Sequence, residues 1–265
     1  MKQLIHLNQK GKTNSTTPYA GVAQLSGLQA IDSLPNEVGY DSQVTIDWHF
    51  SVANNEFYSA ESSNHKIYRT LDTPSAHYHT SVDVACNGVS GTNETTVVNS
   101  IWGKFERLGI MSADGHAMTY WGGNDPPQHL AGLVSQHDGS CIAWSEFFVD
   151  VLDVHSISSN MKRIAPTNPF QFYEYTAIPF MIIIKDTFSA QNNNCPPHCC
   201  YNIHAIVLYN DELYDPSYGN KYGTLYEWES SCVDKYAVHL WYGSKYYRDD
   251  ELSDPKDTQE CDFAQ

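Results

Sequence analysis

The stretch DGSCIAWSEFFVDVLDVHSI, residues 138–157, constrains the fold more than any other part of the chain. Apolar side chains recur at helical spacing from Trp144 to Leu152, and Ser145 and Glu146 are among the polar side chains expected to face away. This pattern predicts an amphipathic helix with one buried face. The flanking segments are rich in Val, Ile, Thr, Tyr and Phe, which is typical of strands. The chain therefore has to pack a helix on a sheet.

The order of these patterns predicts the fold class. Strand-like segments occupy residues 43–86 and 169–250, and two helical patterns, at 95–108 and 138–157, lie between them. Strands followed by helices and again by strands indicate an α+β fold rather than alternating βαβ units. We predict a lead-in and β-rich N-terminal region over residues 1–95 and a core over residues 96–265. Thr95 or Thr96 is expected to cap the first helix.

Composition excludes several classes of function. The chain has 265 residues, 41% of them hydrophobic, which fits a folded protein with a sizeable core. Its 15 basic against 31 acidic side chains argue against a nucleic-acid or anionic-membrane surface, which needs concentrated Lys and Arg. The sequence has no apolar run of about 18 residues, so no membrane span is expected.

Cysteine use suggests an oxidising compartment. Seven cysteines are an odd number, which suggests pairs and one free thiol. If Cys141 is that thiol, six remain for up to three disulfides, and we expect a secreted or periplasmic protein although no signal peptide is visible. The segment CPPHCC, at 195–200, contains Cys and His, the residue types that bind zinc, but we favour the interpretation that its cysteines form disulfides. His77 and His79 alternate on one predicted strand, and two ligands make a poor metal site. No metal or cofactor is therefore predicted.

Cys141 is the candidate nucleophile. It follows an Asp-Gly-Ser turn, in which Asp138 or Ser140 could cap the helix, so Cys141 stands in the first turn. Unpaired backbone N–H groups and the helix dipole at that end favour a thiolate. The N–H of Cys141 could also donate to an oxyanion. The alternative reading is a buried thiol used only for packing.

The segment NIHAIVLYNDELYDPSYG, residues 202–219, offers a base and a carboxylate. An Asn-Asp turn between two apolar runs predicts a hairpin that sets Tyr209 opposite Glu212. Counting back sets Ile206 opposite Asp215, so His204 and Asp215 become diagonal neighbours on one face. A nucleophile helix packed on that face would complete a Cys-His-Asp triad. The alternative is a hairpin with an incidental histidine.

These two motifs together resemble the transglutaminase-like superfamily. The Gly-x-Cys stretch is similar to its nucleophile helix, and IHAIVLYNDELYDPSYG is similar to its histidine and aspartate strands. The preceding IWGKFERLGIMSADGHAMTYWG also resembles bacterial members. The resemblance spans roughly residues 96–245. It implies a papain-like α+β core, with the nucleophile helix packed on an antiparallel sheet, and the roles of nucleophile for Cys141, general base and acid for His204, and orienting carboxylate for Asp215.

The resemblance also implies a reaction. Members of the family act through a thioester on protein or peptide amides as transglutaminases, deamidases or peptidases, and the sequence leaves the outcome open. Family members often have an aromatic two residues after the histidine, where this chain has Ile206. A second oxyanion donor is expected upstream, with Trp121 the candidate and Gln128 behind it. The competing hypothesis is a non-catalytic binding or effector module of an exported assembly.

Overall fold

The computed structural model describes residues 3–6, 35–52, 56–123, 125–166, 180–185, 188–193, 200–201, 203–242, 245–250 and 258–261. These residues form a mixed α+β fold of five helices and fourteen strands. The helices are α1 (His79–Cys86), α2 (Glu94–Phe105), α3 (Leu130–Gln136), α4 (Cys141–Asp153) and α5 (Leu225–Cys232). The strands are β1 (Gln3–His6), β2 (Gly39–Val52), β3 (Glu56–Arg69), β4 (Thr119–Tyr120), β5 (Asp138–Gly139), β6 (Asn160–Pro166), β7 (Phe180–Ile184), β8 (Cys200–Tyr201), β9 (His204–Tyr209), β10 (Glu212–Asp215), β11 (Asn220–Tyr222), β12 (Val233–Tyr242), β13 (Lys245–Asp250) and β14 (Thr258–Cys261).

Three antiparallel sheets and one short parallel pair result. The five-stranded sheet has the order β11-β10-β9-β6-β14, and the four-stranded sheet has the order β13-β12-β7-β8. Strands β1, β3 and β2 form a third sheet, and β4 pairs in parallel with β5. The predicted α+β class is therefore confirmed. None of the described helices has the length and apolar character needed to cross a membrane.

Helix α4 is the centre of the fold. Trp144, Phe147, Phe148, Val151 and Leu152 are all completely buried, which confirms the predicted apolar stripe. The helix packs on β9 and β6 of the five-stranded sheet and has α1 and α3 beside it. Because this helix is covered on several sides, Ser145 is also buried, contrary to the expectation that it faces away.

The segment 78–86, which was predicted to be a strand, instead forms helix α1 from His79 to Cys86, so that prediction was wrong. Ser81, Val84 and Ala85 are buried at helical spacing, and α1 packs against α4. β-Branched residues favour strands only weakly, so a helical neighbour with an apolar face outweighs that preference. The cap of α2 also differs from the prediction, because Asn93, and not Thr95 or Thr96, accepts the 3.1 Å hydrogen bond from the N–H of Thr96.

Two short helices were missed. Helix α3 lies just before the helix predicted at 138–157, where no element was predicted, and α5 lies within the region predicted as strands. Thr224 caps α5 by accepting from the N–H of Glu227, and the Glu227 carboxylate accepts from the N–H of Gly223. The Thr-x-x-Glu pattern is a known signal for a helix start. It would have predicted α5.

The buried core extends across residue 95, the predicted boundary. Val38 and Tyr68, on the N-terminal side, belong to the same apolar cluster as Phe147 and Ile206. Residues 170–178, which were predicted to form a strand, lie outside the described residues.

Gly219 lies between β10 and β11 and packs closely against the end of α2, and its replacement by alanine is expected to destabilise the protein by roughly 2–4 kcal/mol. Its φ is +64°, and an added Cβ would lie 2.6 Å from the carbonyl oxygen of Phe105. Gly88→Ala is the matched control, since Gly88 has a φ of +72° with nothing within 4 Å. Urea denaturation should show the larger loss for Gly219→Ala. Equal losses would mean that the close approach to α2 contributes nothing.

Candidate active site

Cys141 is the first residue of α4, and its thiol is buried, with 4% of the residue exposed. Ser140 occupies the N-cap position but makes no side-chain capping hydrogen bond. The Asp138 carboxylate instead accepts from the backbone N–H groups of Gly122, at 2.7 Å, and Gly123, at 3.1 Å. The expected side-chain cap is therefore absent from the described residues. The N–H groups of the first turn remain able to bind a substrate oxygen.

Close packing behind Cys141 explains the glycine of the Gly-x-Cys motif. Gly139 lies beside Tyr120 in the β4–β5 pair. An added Cβ on Gly139 would lie 3.0 Å from the Cβ of Ala143 and 3.1 Å from the Cδ1 of Leu133. Such contacts are tighter than ordinary van der Waals packing, so a larger residue would push the start of α4 away from β5.

The hairpin brings His204 and Asp215 together. Tyr209 pairs with Glu212, as the Asn-Asp turn predicts, and Asn210 and Asp211 both have positive φ. The Nε2 atom of His204 lies 2.7 Å from Oδ2 of Asp215, and both side chains are buried. The predicted register is confirmed, and the imidazole and carboxylate form a buried hydrogen-bonded pair.

The same imidazole lies against Cys141. The Sγ atom of Cys141 is 3.9 Å from the carbonyl oxygen of Ile203, the residue before His204. Burial lowers the pKa of His204, but the charge of Asp215, its hydrogen bond and the interaction with the Cys141 side chain together raise that pKa to about 10. With Nε2 occupied by Asp215, Nδ1 is the ring atom that can exchange a proton with the sulfur. The three predicted triad side chains are thus brought together.

Trp228 completes the surroundings of the pair, and the sequence analysis missed it. Its ring stacks on His204 at 5.6 Å between centroids and 17° between planes. Its Nε1–H donates to Oδ2 of Asp215 at 3.2 Å, and the N–H of Tyr218 donates to Oδ1 at 3.4 Å. These donors hold the carboxylate in place beside the imidazole, while the indole ring excludes water from the His204–Asp215 hydrogen bond. No local pattern in the sequence pairs a tryptophan on α5 with this site.

The two candidate oxyanion residues are placed differently. The backbone N–H of Trp121 donates to the carbonyl of Gly139, two residues before Cys141, at 3.1 Å. The Gln128 side chain donates to the carbonyl of Pro126 at 3.1 Å, so it is engaged within its own loop. The amide N–H of Gln128 is therefore engaged, and the indole N–H of Trp121 is kept as the candidate donor.

The other described cysteines are poor nucleophiles. Cys86 and Cys232 are free and buried, and burial is the main cause that raises the pKa of each to about 12. Both are therefore neutral thiols at neutral pH. Three free thiols leave four of the seven cysteines, so the chain cannot form the three disulfides considered from the sequence. The structure does not describe the side chains of those four cysteines, which include the three of CPPHCC.

His77 and His79 do not alternate on a strand, so that prediction was wrong. His77 precedes α1, and its Nδ1 lies 2.9 Å from Oδ1 of Asp150. His79 begins α1, with Nε2 at 3.0 Å from the hydroxyl of Tyr68. Both line a cavity of about 710 Å³ beside β3, whose lining includes none of the triad side chains. This cavity is therefore separate from the triad.

The raised pKa of His204 predicts a pH-dependent stability. An unfolded histidine has a pKa near 6.5, so between about pH 6.5 and 10 the folded protein holds the proton more tightly than the unfolded chain. This contribution is complete below about pH 6.5 and is lost as the pH rises through about 10. Urea denaturation at several pH values should show a stability gap between wild type and His204→Gln that narrows across this range. A stability difference that stays constant with pH would contradict the raised pKa of His204.

No protein-family model, curated protein or solved structure matches this chain. The geometry of the site is therefore what supports a function.

Proposed function

We propose that this protein is a cysteine-dependent enzyme that transfers or hydrolyses acyl groups through a thioester. The observation that carries the proposal is the buried His204 imidazole, held at 2.7 Å by Asp215 on one side and in contact with Cys141 on the other. A nucleophile, a base within reach and a third group that orients the base are the parts that covalent acyl transfer needs. More specifically, we propose a transglutaminase-like enzyme with a papain-like core. The Gly-x-Cys motif and the motif that carries His204 and Asp215 support this proposal.

The proposed reaction begins with attack of the Cys141 sulfur, as a thiolate, on the carbonyl carbon of an amide. The C–N bond breaks, and protonated His204 gives its proton to the leaving amine or ammonia. In the second step neutral His204 takes a proton from water or an acceptor amine as this group attacks the thioester carbonyl. The C–S bond breaks, the acyl product leaves, and the Cys141 thiolate and protonated His204 are regenerated. Asp215 keeps the imidazole in one orientation and stabilises its protonated form.

The oxyanion formed in each step needs donors. The first turn of α4 supplies the backbone N–H of Cys141, since no side-chain cap on Ser140 competes for the N–H groups of that turn. Trp121 is the proposed second donor through its indole N–H, because its backbone N–H bond holds it beside Gly139, two residues before the nucleophile.

Burial of the nucleophile narrows the substrate class. With only 4% of Cys141 exposed, a slender group such as the carboxamide of a glutamine side chain can reach the sulfur more readily than a main-chain amide. We therefore propose glutamine in a protein or peptide as the acyl donor. Water as acceptor gives deamidation, and an amine gives cross-linking.

Mass spectrometry of a glutamine-containing peptide library tests this proposal. Incubation with the protein, with and without a primary amine, should convert peptides to deamidated or amine-linked products that differ in mass. Shortened peptides would show a peptidase instead and would overturn the glutamine proposal. Products absent under all conditions would favour the binding module over the enzyme.

A further inference from the structure

Three metal-ligating side chains meet on the surface of the described part of the chain, apart from the triad. Asp114, His116 and His137 offer ligand atoms that all lie within 4.8 Å of one another. We propose that these residues form a binding site for a borderline divalent metal ion of the Zn²⁺ type, which the sequence did not predict. Two imidazoles and one carboxylate are a common zinc ligand set, with water in the fourth position.

The distances between the ligand atoms suit such an ion. Nδ1 of His116 lies 3.2 Å from Oδ2 of Asp114, and Nε2 of His137 lies 3.4 Å from Oδ1 of the same carboxylate. Ligands about 2.0–2.1 Å from a tetrahedral zinc ion are separated by about 3.3–3.4 Å. Small side-chain adjustments are therefore enough to place an ion between these atoms.

The two imidazole rings show which adjustment is needed. They are stacked at 4.6 Å between centroids and 19° between planes, so their nitrogen lone pairs lie in two nearly parallel planes. A shared ion requires the lone pairs to converge. The side chain of His116 is 64% exposed and can turn, whereas that of His137 is 24% exposed. Rotation of the His116 side chain alone can point its ring nitrogen at an ion held by Asp114 and His137.

Hydrogen bonds hold the backbone under both ends of the site. In the turn that carries Asp114 and His116, the N–H of Ser112 donates to the carbonyl of His116 at 2.8 Å, and the N–H of Gly115 donates to the carbonyl of Ser112 at 2.9 Å. His137 ends α3 with a φ of +59°, and its carbonyl accepts from the N–H of Thr119 at 2.8 Å. The ligands thus project from two segments that are already joined.

The expected role of the ion is structural. His137 stands immediately before Asp138, the carboxylate that anchors Gly122 and Gly123, and four residues before Cys141. An ion bound to all three side chains would tie the 112–116 turn to the segment that leads into α4. This inference does not depend on the proposed enzyme activity, because no ligand belongs to the triad.

Isothermal titration of the full chain with Zn²⁺ tests the site. Thiolates also bind zinc. The informative quantity is therefore the difference in bound Zn²⁺ equivalents between wild type and each variant, because zinc bound at cysteines is the same in both. Wild type is expected to bind one more equivalent of Zn²⁺ than His116→Ala or His137→Asn. Asparagine at 137 tolerates the positive φ, so that variant removes the ligand and keeps the backbone conformation.

His129→Ala is the matched control, since His129 is another exposed histidine and pairs with Glu146 at 3.1 Å. It should bind as many equivalents as wild type. Excess Mg²⁺ should not displace the ion, because Mg²⁺ prefers an all-oxygen octahedral site. Equal stoichiometry in wild type and both ligand variants, loss of the equivalent in His129→Ala, or displacement by Mg²⁺ would each overturn the proposal. Melting curves with a chelator should coincide for wild type and His116→Ala, which shows that the variant remains folded.

Discussion

Replacing Cys141 with alanine is expected to lower kcat/KM for acyl transfer from a glutamine peptide by at least about 10³-fold. The side chain supplies the sulfur that bonds to the acyl carbon, and no other described thiol lies against His204. Ammonia release and product masses measure the loss. The melting temperature should change little, because alanine fits the first turn of a helix and the hydrogen bond from the thiol to the carbonyl of Ile203, at 3.9 Å, is long.

Cys86→Ala is the matched control for this experiment. Cys86 is also a free, buried cysteine, and its thiol bonds at 3.6 Å to the carbonyl of Arg69, outside the triad. Its replacement should leave kcat/KM within a few-fold of wild type while costing some stability. Full activity in Cys141→Ala would exclude this residue as the nucleophile.

Replacing Asp215 with alanine is expected to reduce the free energy of unfolding by about 3–5 kcal/mol near neutral pH, and to remove activity as well. The change leaves His204 buried without its counter-charge and leaves the indole N–H of Trp228 without its acceptor. Removing one member of a buried ion pair is costly because the remaining charge is desolvated and uncompensated. Urea denaturation measures the stability.

One further variant separates the effect of charge from that of hydrogen bonding at position 215. Asp215→Asn keeps an acceptor oxygen, so we expect a smaller loss of stability and a lower pKa for His204 than in wild type. Asp211→Asn is the control, since Asp211 lies in the exposed hairpin turn with a φ of +62°, which asparagine tolerates. An Asp215→Ala protein as stable as this control would contradict the buried ion pair.

Short-range patterns in the chain were enough to predict α4 and the hairpin. The apolar spacing from Trp144 to Leu152 depends on the helix period alone, and the Asn210-Asp211 turn sets a register that brings His204 to Asp215. Both features arise from neighbours within about fifteen residues, so no knowledge of the remaining chain was needed. The same motifs carried the resemblance that motivated the triad.

Features that depend on distant contacts were not readable in this way. Residues 79–86 have strand-like composition but fold as α1 because the apolar surface of α4 offers a place to bury Val84 and Ala85. Trp228 reaches Asp215 only because α5 packs beside the hairpin, and His137 meets Asp114 across an interval of 23 residues. Packing energy between separated segments outweighs the small local preferences of each residue, so these contacts became visible only once the whole chain was folded.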